Sequence, residues 1–251
     1  MKKLSIYFSV ITMLLQLYTI QASAQKADVQ LPAKQLMVVL TDNWDTLQGK
    51  IYCFNKINDQ WVLQFSNDVV VGAKGLGIGD GLLPVPIADA PVKKEGDNKA
   101  PAGIFTIGTA FGYADAKDAT WIKNHYIKAS ETLICVDDMY SLYYNTLLKK
   151  DTVHSAYKSH EEMHLKKDYY KWGLFINHNA PKTVAGDGSC IFMHIWENSH
   201  QGTAGCTAMT EANLLRVLHW INALDNPLLV QLPRAQYVKL KAIYRLPEIA
   251  F

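Results

Sequence analysis

Three short segments near the start of the chain, Gln35 to Thr41, Lys50 to Ile57 and Gln60 to Gly72, are each rich in Val, Ile, Tyr, Phe or Trp and are parted by Asn, Asp and Gly. β-Branched and aromatic side chains pack on a pleated surface, and the residues between them favour turns, so this punctuation commits the region to a sheet. Further strand signals follow at Gly103 to Gly108, Gly173 to Asn177, Ser189 to Ile195 and Leu228 to Leu232. A helix is expected to start near Thr210-Glu211, with Leu214, Leu215, Val217, Leu218 and Ile221 on its apolar side, and Ala235 to Tyr244 reads as a closing helix. Residues 111–172 differ in kind: rich in Tyr, His, Lys and Asp without clean periodicity, they predict an irregular insertion with short helices over a sheet, a candidate lid. The fold class expected is mainly β with a few helices (α+β).

Residues 1–24 read as an address: Lys2-Lys3, an apolar stretch from Leu4 to Ile20, then Ala22-Ser23-Ala24, the order of a secretory signal peptide cleaved after Ala24. Ser, Thr, Gln and Tyr interrupt the apolar stretch, which makes it a poor permanent anchor. Residues 25–34 read as a short exposed lead, and 35–251 as one large domain carrying the insertion. Without Lys2 and Lys3 the basic residues only balance the 23 acidic ones. No basic run or basic-aromatic stripe is present, so nucleic acid and anionic membrane are not expected partners. Oligomeric state is left open.

Chemistry concentrates at Cys206, in Thr203-Ala204-Gly205-Cys206-Thr207-Ala208-Met209, twelve positions after His194 on the strand-like run 189–195. A cysteine beside glycine in a small-residue turn, with a histidine on a neighbouring strand, is a layout for thiolate nucleophilic catalysis; its rival is a core histidine and an inert small cysteine. Backbone N–H groups at Gly205 and Cys206 are candidates for an oxyanion hole. If Cys206 stays free, Cys53, Cys135 and Cys190 allow at most one bridge. Cys190 shares strand parity with Phe192 and His194 and reads as a core residue, which leaves Cys53–Cys135 as the first bridge to test.

Two other motifs compete. His160-Glu161-Glu162-Met163-His164 matches H-E-x-x-H, which on a helix would let two imidazoles share zinc while the Glu activates water. Its flanks are largely polar and no third ligand declares itself, so an exposed, solvated helix is the plainer expectation. The glycines at 72, 75, 77, 79 and 81 are followed by neither Gly-Lys-Ser/Thr nor a helical run, so they read as a turn at a strand end or cleft rim rather than a nucleotide loop.

The ordered series of motifs resembles the YkuD-type L,D-transpeptidases, cysteine enzymes that remodel bacterial peptidoglycan. Lys94-Glu95-Gly96-Asp97 with Pro101, Gly103 and Phe105 is similar to the family's K-x-G-D-x-x-x-P-x-G-x-F entry. Asp137-Asp138, Ser141, Tyr144-Asn145, Glu161 and Met163 resemble the insertion of one branch, 188–194 and 203–209 the catalytic strand and turn, and Leu232-Pro233, Tyr237, Leu240 and Leu246-Pro247 that branch's tail. The resemblance implies a YkuD-like β-sandwich, no cofactor, no metal, and a periplasmic or cell-wall location. By it, Cys206 attacks the carbonyl at the third residue of a peptidoglycan stem, normally a meso-diaminopimelate centre before D-alanine. His194 acts as base and then acid, the Ile195 carbonyl orients it, and Gly205 supplies an oxyanion N–H. Tyr144 and Asn145 are implied substrate contacts; Thr203 and Ala204 are small residues where the backbone must approach a substrate carbonyl, and His200, in the short loop before them, is a further candidate contact whose plainer reading is a solvated loop histidine.

Ala208 departs from the family, many of whose members carry there an arginine able to hold a substrate carboxylate, and a methyl group cannot make that charge-assisted bond. The sequence thus leads to an exported transpeptidase. An L,D-carboxypeptidase or amide hydrolase on the same Cys/His pair, a silent peptidoglycan-binding domain and a zinc metallopeptidase through His160 and His164 remain as alternatives.

Overall fold

The structure is a computed structural model that describes residues 30–85, 87–152 and 156–250; the expected signal segment lies outside them. In chain order the strands are β1 (Gln35–Thr41), β2 (Gln48–Ile57), β3 (Gln60–Val70), β4 (Leu76–Ile78), β5 (Ala100–Gly112), β6 (Tyr126–Lys128), β7 (Leu133–Val136), β8 (Thr146–Lys149), β9 (Glu161–Glu162), β10 (Trp172–Ile176), β11 (Phe192–Ile195), β12 (Thr207–Met209) and β13 (Leu228–Pro233). The helices are α1 (Glu211–Trp220) and α2 (Arg234–Lys241). No helix of the described residues is long and apolar enough to cross a membrane.

The three N-terminal strand signals form a meander. β1 lies between antiparallel β2 and parallel β13, with Val38 opposite Tyr52 on one side and Val230 on the other. Every residue of β1 is buried, as its almost unbroken apolar run requires. β5 does the closing. Its first half pairs with β13 from Gly103 to Thr106, and its second half with β10 from Ile107 to Gly112. Because β10, β11, β12 and β3 continue the path back to β2 and β1, the sheet closes on itself and the expected sandwich is barrel-like. α1 starts where expected: Thr210 Oγ1 accepts the Asn213 N–H at 3.2 Å, and Leu214, Val217 and Leu218 are buried.

The side chains divide between two cores. The larger lies within the closed sheet; the smaller joins Phe111, Leu133, Met163, Tyr170, Phe175 and Phe192, between the insertion and strands β5, β10 and β11. Gly173 stands opposite Phe111, whose ring would lie 2.2 Å from any Cβ placed there, so only glycine lets that ring cover the strand. The insertion is more regular than its composition suggests, with a three-stranded sheet in the order β8-β7-β9 and short 3-10 turns.

Several expectations are corrected. The bridge is Cys135–Cys190, while Cys53 is a free, buried thiol on β2. Cys190 is not on the strand: it has φ +53°, two residues before β11 begins, which turns its sulfur toward β7. His160 to His164 is not a helix, because β9 lies within it. In extended chain four residues span up to about 13 Å, and the two imidazoles have separate partners: His160 Nε2 meets Glu162 Oε1 at 3.0 Å, and His164 Nδ1 donates to the Ala129 carbonyl at 2.8 Å. The zinc arrangement is therefore not formed. The end of the expected exposed lead is packed, with Leu31 and Ala33 buried.

Candidate active site

β11 sorts its side chains by parity. Met193 and Ile195 belong to the main core, whereas Phe192 and His194 face Tyr170 in the smaller one, with ring centroids 5.5 and 5.2 Å away. β12 runs parallel to β11, with Met193 opposite Thr207 and His194 opposite Ala208. Thr207 and Met209 point inward, and Thr207 Oγ1 donates to the buried Gln231 Oε1 at 2.7 Å. Alternation places Cys206 on the His194 side.

The turn before β12 is held by its own threonine. Thr203 Oγ1 donates to the Cys206 carbonyl at 2.6 Å and accepts the Gly205 N–H at 3.1 Å. Thr203 also pairs with the glycine-rich segment, through its N–H to the Val71 carbonyl at 2.9 Å and its carbonyl to the Ala73 N–H at 2.8 Å. Gly202 is required there, since a Cβ would lie 2.4 Å from Ala73 Cα. The start of the glycine-rich stretch thus supports the Cys206 turn.

Cys206 Sγ accepts the Phe192 N–H at 3.2 Å and its thiol faces the Cys190 carbonyl at 3.7 Å. Burial pushes the thiol well above its ordinary range, the Glu161 charge adds to this, and the Phe192 N–H and Lys93 oppose it. His194 Nδ1 donates to the Ile195 carbonyl at 2.8 Å, which leaves Nε2 as the lone-pair nitrogen. Although the ring reaches the cavity, its desolvated setting lowers its pKa to about 4 against the help of that carbonyl. The resting pair is therefore a neutral thiol and a neutral imidazole.

Cys206 and His194 line one cavity of about 220 Å³ together with Lys93, Glu95, Asp137, Glu161 and Tyr170. A second, of about 250 Å³, extends toward Trp196, Glu197 and Gly202, and the two share Tyr170, His194, Thr203 and Ala204.

The sequence-derived contacts divide accordingly. Thr203 and Ala204 line both cavities, and Gly205 lines the first. His200 is exposed and outside both. Tyr144 and Asn145 lie outside both as well and act as struts: Tyr144 donates to Glu95 Oε2 at 2.5 Å, while Asn145 Oδ1 accepts the Cys190 N–H at 3.0 Å and Nδ2 donates to the His178 carbonyl at 2.9 Å. The cavity residues that sequence reasoning left without a role are Lys93, Glu95, Asp137, Glu161 and Tyr170. The two-residue alternation of Glu161 with Met163, which is fully buried, was the available signal for Glu161.

The YkuD family, the L,D-transpeptidase catalytic domain, matches residues 25–230. The chain belongs to this family. Among solved structures the chain is similar to the Bdellovibrio bacteriovorus protein Bd1075, with 13% identity and a TM-score of 0.37 over 79% of this chain and 47% of that one. It thus spans about half the length of that protein. No curated protein matches. Ala208 is fully buried beside His194, so this position presents no charge to the cavity.

Proposed function

We propose that the protein is an exported L,D-transpeptidase acting on peptidoglycan stem peptides through a thioester on Cys206. The observation that carries this reading is the single cavity shared by Cys206 and His194, with Nδ1 tied to the Ile195 carbonyl so that Nε2 is the proton acceptor. The thiol proton passes to Nε2 as sulfur attacks the stem amide carbonyl. Collapse of the tetrahedral intermediate breaks the C–N bond, and the imidazolium returns the proton to the leaving amine. The Ile195 carbonyl plays the orienting part that a carboxylate plays in a serine-protease triad. Since the Gly205 N–H donates to Thr203 Oγ1, the Cys206 N–H is the better oxyanion donor.

The second cavity favours transfer over hydrolysis, because it offers an acceptor stem a separate route to His194 while the first holds the donor. An amine entering there attacks the thioester and forms a cross-link; water in its place gives a shortened stem. Export rests on the order of residues 1–24, with action in the periplasm or at the cell wall. Purified protein incubated with tetrapeptide-stem muropeptides is expected to give cross-linked dimers by mass spectrometry, and Cys206→Ala none. Shortened monomers alone would establish hydrolysis instead, and Cys206→Ala matching the wild type in product formation would overturn the cysteine mechanism.

A further inference from the structure

The charge around Cys206 is of the wrong sign for a site that grips a carboxylate. Three carboxylates line its cavity, Glu95, Asp137 and Glu161, against the ammonium of Lys93. Lys93 is already spent: almost wholly buried, its Nζ donates to Asp97 Oδ1 and to the Lys94 carbonyl, both at 2.6 Å. The carboxylates are built in rather than incidental. Glu95 Oε2 is fixed by Tyr144 and by Ser189 Oγ at 2.7 Å, and Glu161 Oε2 by the Tyr170 hydroxyl at 2.8 Å. Asp137 Oδ1 is buried and has no hydrogen-bond partner among the described residues, which costs stability unless something else supplies a donor. With Ala208 contributing no positive charge, the missing partner of this cavity is a cation.

We propose that Glu161, flanked by Asp137 and Glu95, receives a primary ammonium group of a stem peptide, and that the seated cation readies Cys206 for ionisation. This rests on the transpeptidase reading and names the part of the substrate that the cavity selects. Burial, with Asp137 and Glu95 nearby, lifts the Glu161 carboxyl to about 7, and the Cys206 thiol is held protonated by its own burial first and by the Glu161 charge in addition. An ammonium between these carboxylates offsets that charge, supplies the donor Asp137 lacks, and lets the thiol proton pass to His194 Nε2. The empty enzyme thereby keeps its nucleophile quiet, and a correctly charged substrate releases it.

Alkylation of Cys206 by neutral iodoacetamide tests the coupling in purified protein at neutral pH. n-Butylammonium chloride is expected to accelerate it several-fold over sodium chloride at equal ionic strength. Glu161→Gln should alkylate faster from the outset and lose the response, whereas Tyr170→Phe, which keeps the carboxylate, should retain it. No advantage of n-butylammonium over sodium in the wild type, or a Glu161→Gln rate equal to wild type, overturns the proposal.

Stem peptides with a free or N-acetylated side-chain amine then locate the ammonium. Slower acyl-enzyme formation from the acetylated donor, abolished as a preference in Glu161→Gln and Asp137→Asn, assigns it to the donor. Equal acylation with a smaller share of aminolysis over hydrolysis in Glu161→Gln assigns it to the acceptor. Acylation and aminolysis both indifferent to acetylation and to Glu161→Gln sink the ammonium site while leaving the transpeptidase intact; failure of every stem peptide to acylate Cys206 sinks the transpeptidase reading, and the alkylation response still decides the charge coupling.

Discussion

The carbonyl of Cys190 faces the Cys206 thiol at 3.7 Å while the Cys190 side chain is bonded to Cys135 on β7. The bridge therefore joins the insertion to backbone that touches the Cys206 thiol. Asn145 adds a second tie through the Cys190 N–H, and Phe192, two residues on, donates its N–H to the same sulfur. The insertion and the Cys206 turn are one mechanical unit at this point.

Opening the bridge should thus affect stability and rate together. Its partners are 55 residues apart, a loop whose closure stabilises by about 4 kcal/mol in the chain-entropy account. The Cys135→Ser/Cys190→Ser double variant is expected to lose that much in guanidinium unfolding and to acylate more slowly, since the groups flanking Sγ lose their anchor. An unchanged unfolding midpoint would show that the smaller core alone holds the insertion.

Thiol counting gives an independent check. Cys53 is fully buried on β2 and desolvation raises its thiol, whereas Cys206 lines a cavity. Native alkylation should modify one cysteine, found by peptide mapping at Cys206 and absent in Cys206→Ala. Denaturation without reductant should reveal two free thiols, and with reductant four; any other count contradicts the pairing.

The limits of the sequence reading have physical causes. Strands rich in β-branched and aromatic residues, such as 35–41, were legible because their side chains carry the signal themselves. β7, β8 and β9 were not, being two to four residues long, mixed in polarity and stabilised by the core they form over Phe192. Cys206 and His194 declared themselves through a local motif. The Cys135–Cys190 pairing depends on the insertion folding back over β11, so no local pattern encodes it. Glu161 was visible inside a false helix motif and in the resemblance of the insertion, but neither gave it a place beside the thiol, because that depends on Tyr170, Asp137 and Cys206 meeting in space.

Ala208→Arg is expected to destabilise rather than restore a carboxylate grip. The position is fully buried between His194 on β11 and Val70 on β3. A guanidinium there must be taken out of water and forced into packed space, at a cost of about 3 kcal/mol or more. Thermal unfolding should show a clear drop, while Ala208→Ser, a single added oxygen, should fall much less. An Arg variant as stable as wild type would mean that the side chain escapes into the cavity.

Acid and base leave opposite marks on stability, and the two buried groups can be separated by pH. Glu161 rises from 4.5 to about 7, through burial first and then Asp137 and Glu95, with the Tyr170 hydrogen bond opposing. Below 4.5 the carboxyl is protonated in folded and unfolded chains alike; between the two values the folded chain keeps a proton the unfolded one has released; above 7 both are ionised. Its contribution to stability therefore declines as pH rises through that window, by up to about 3 kcal/mol. His194, lowered by burial from 6.5 to about 4, has the opposite sense: its contribution is full above 6.5 and declines as pH falls through 4. Denaturation across this range should show Glu161→Gln gaining on wild type between pH 4.5 and 7 and then holding its lead. His194→Gln should gain on wild type as pH falls from 6.5 toward 4. Parallel wild-type and Glu161→Gln curves would mean that the Glu161 carboxyl is not held in the desolvated, anionic setting on which its role beside Cys206 depends.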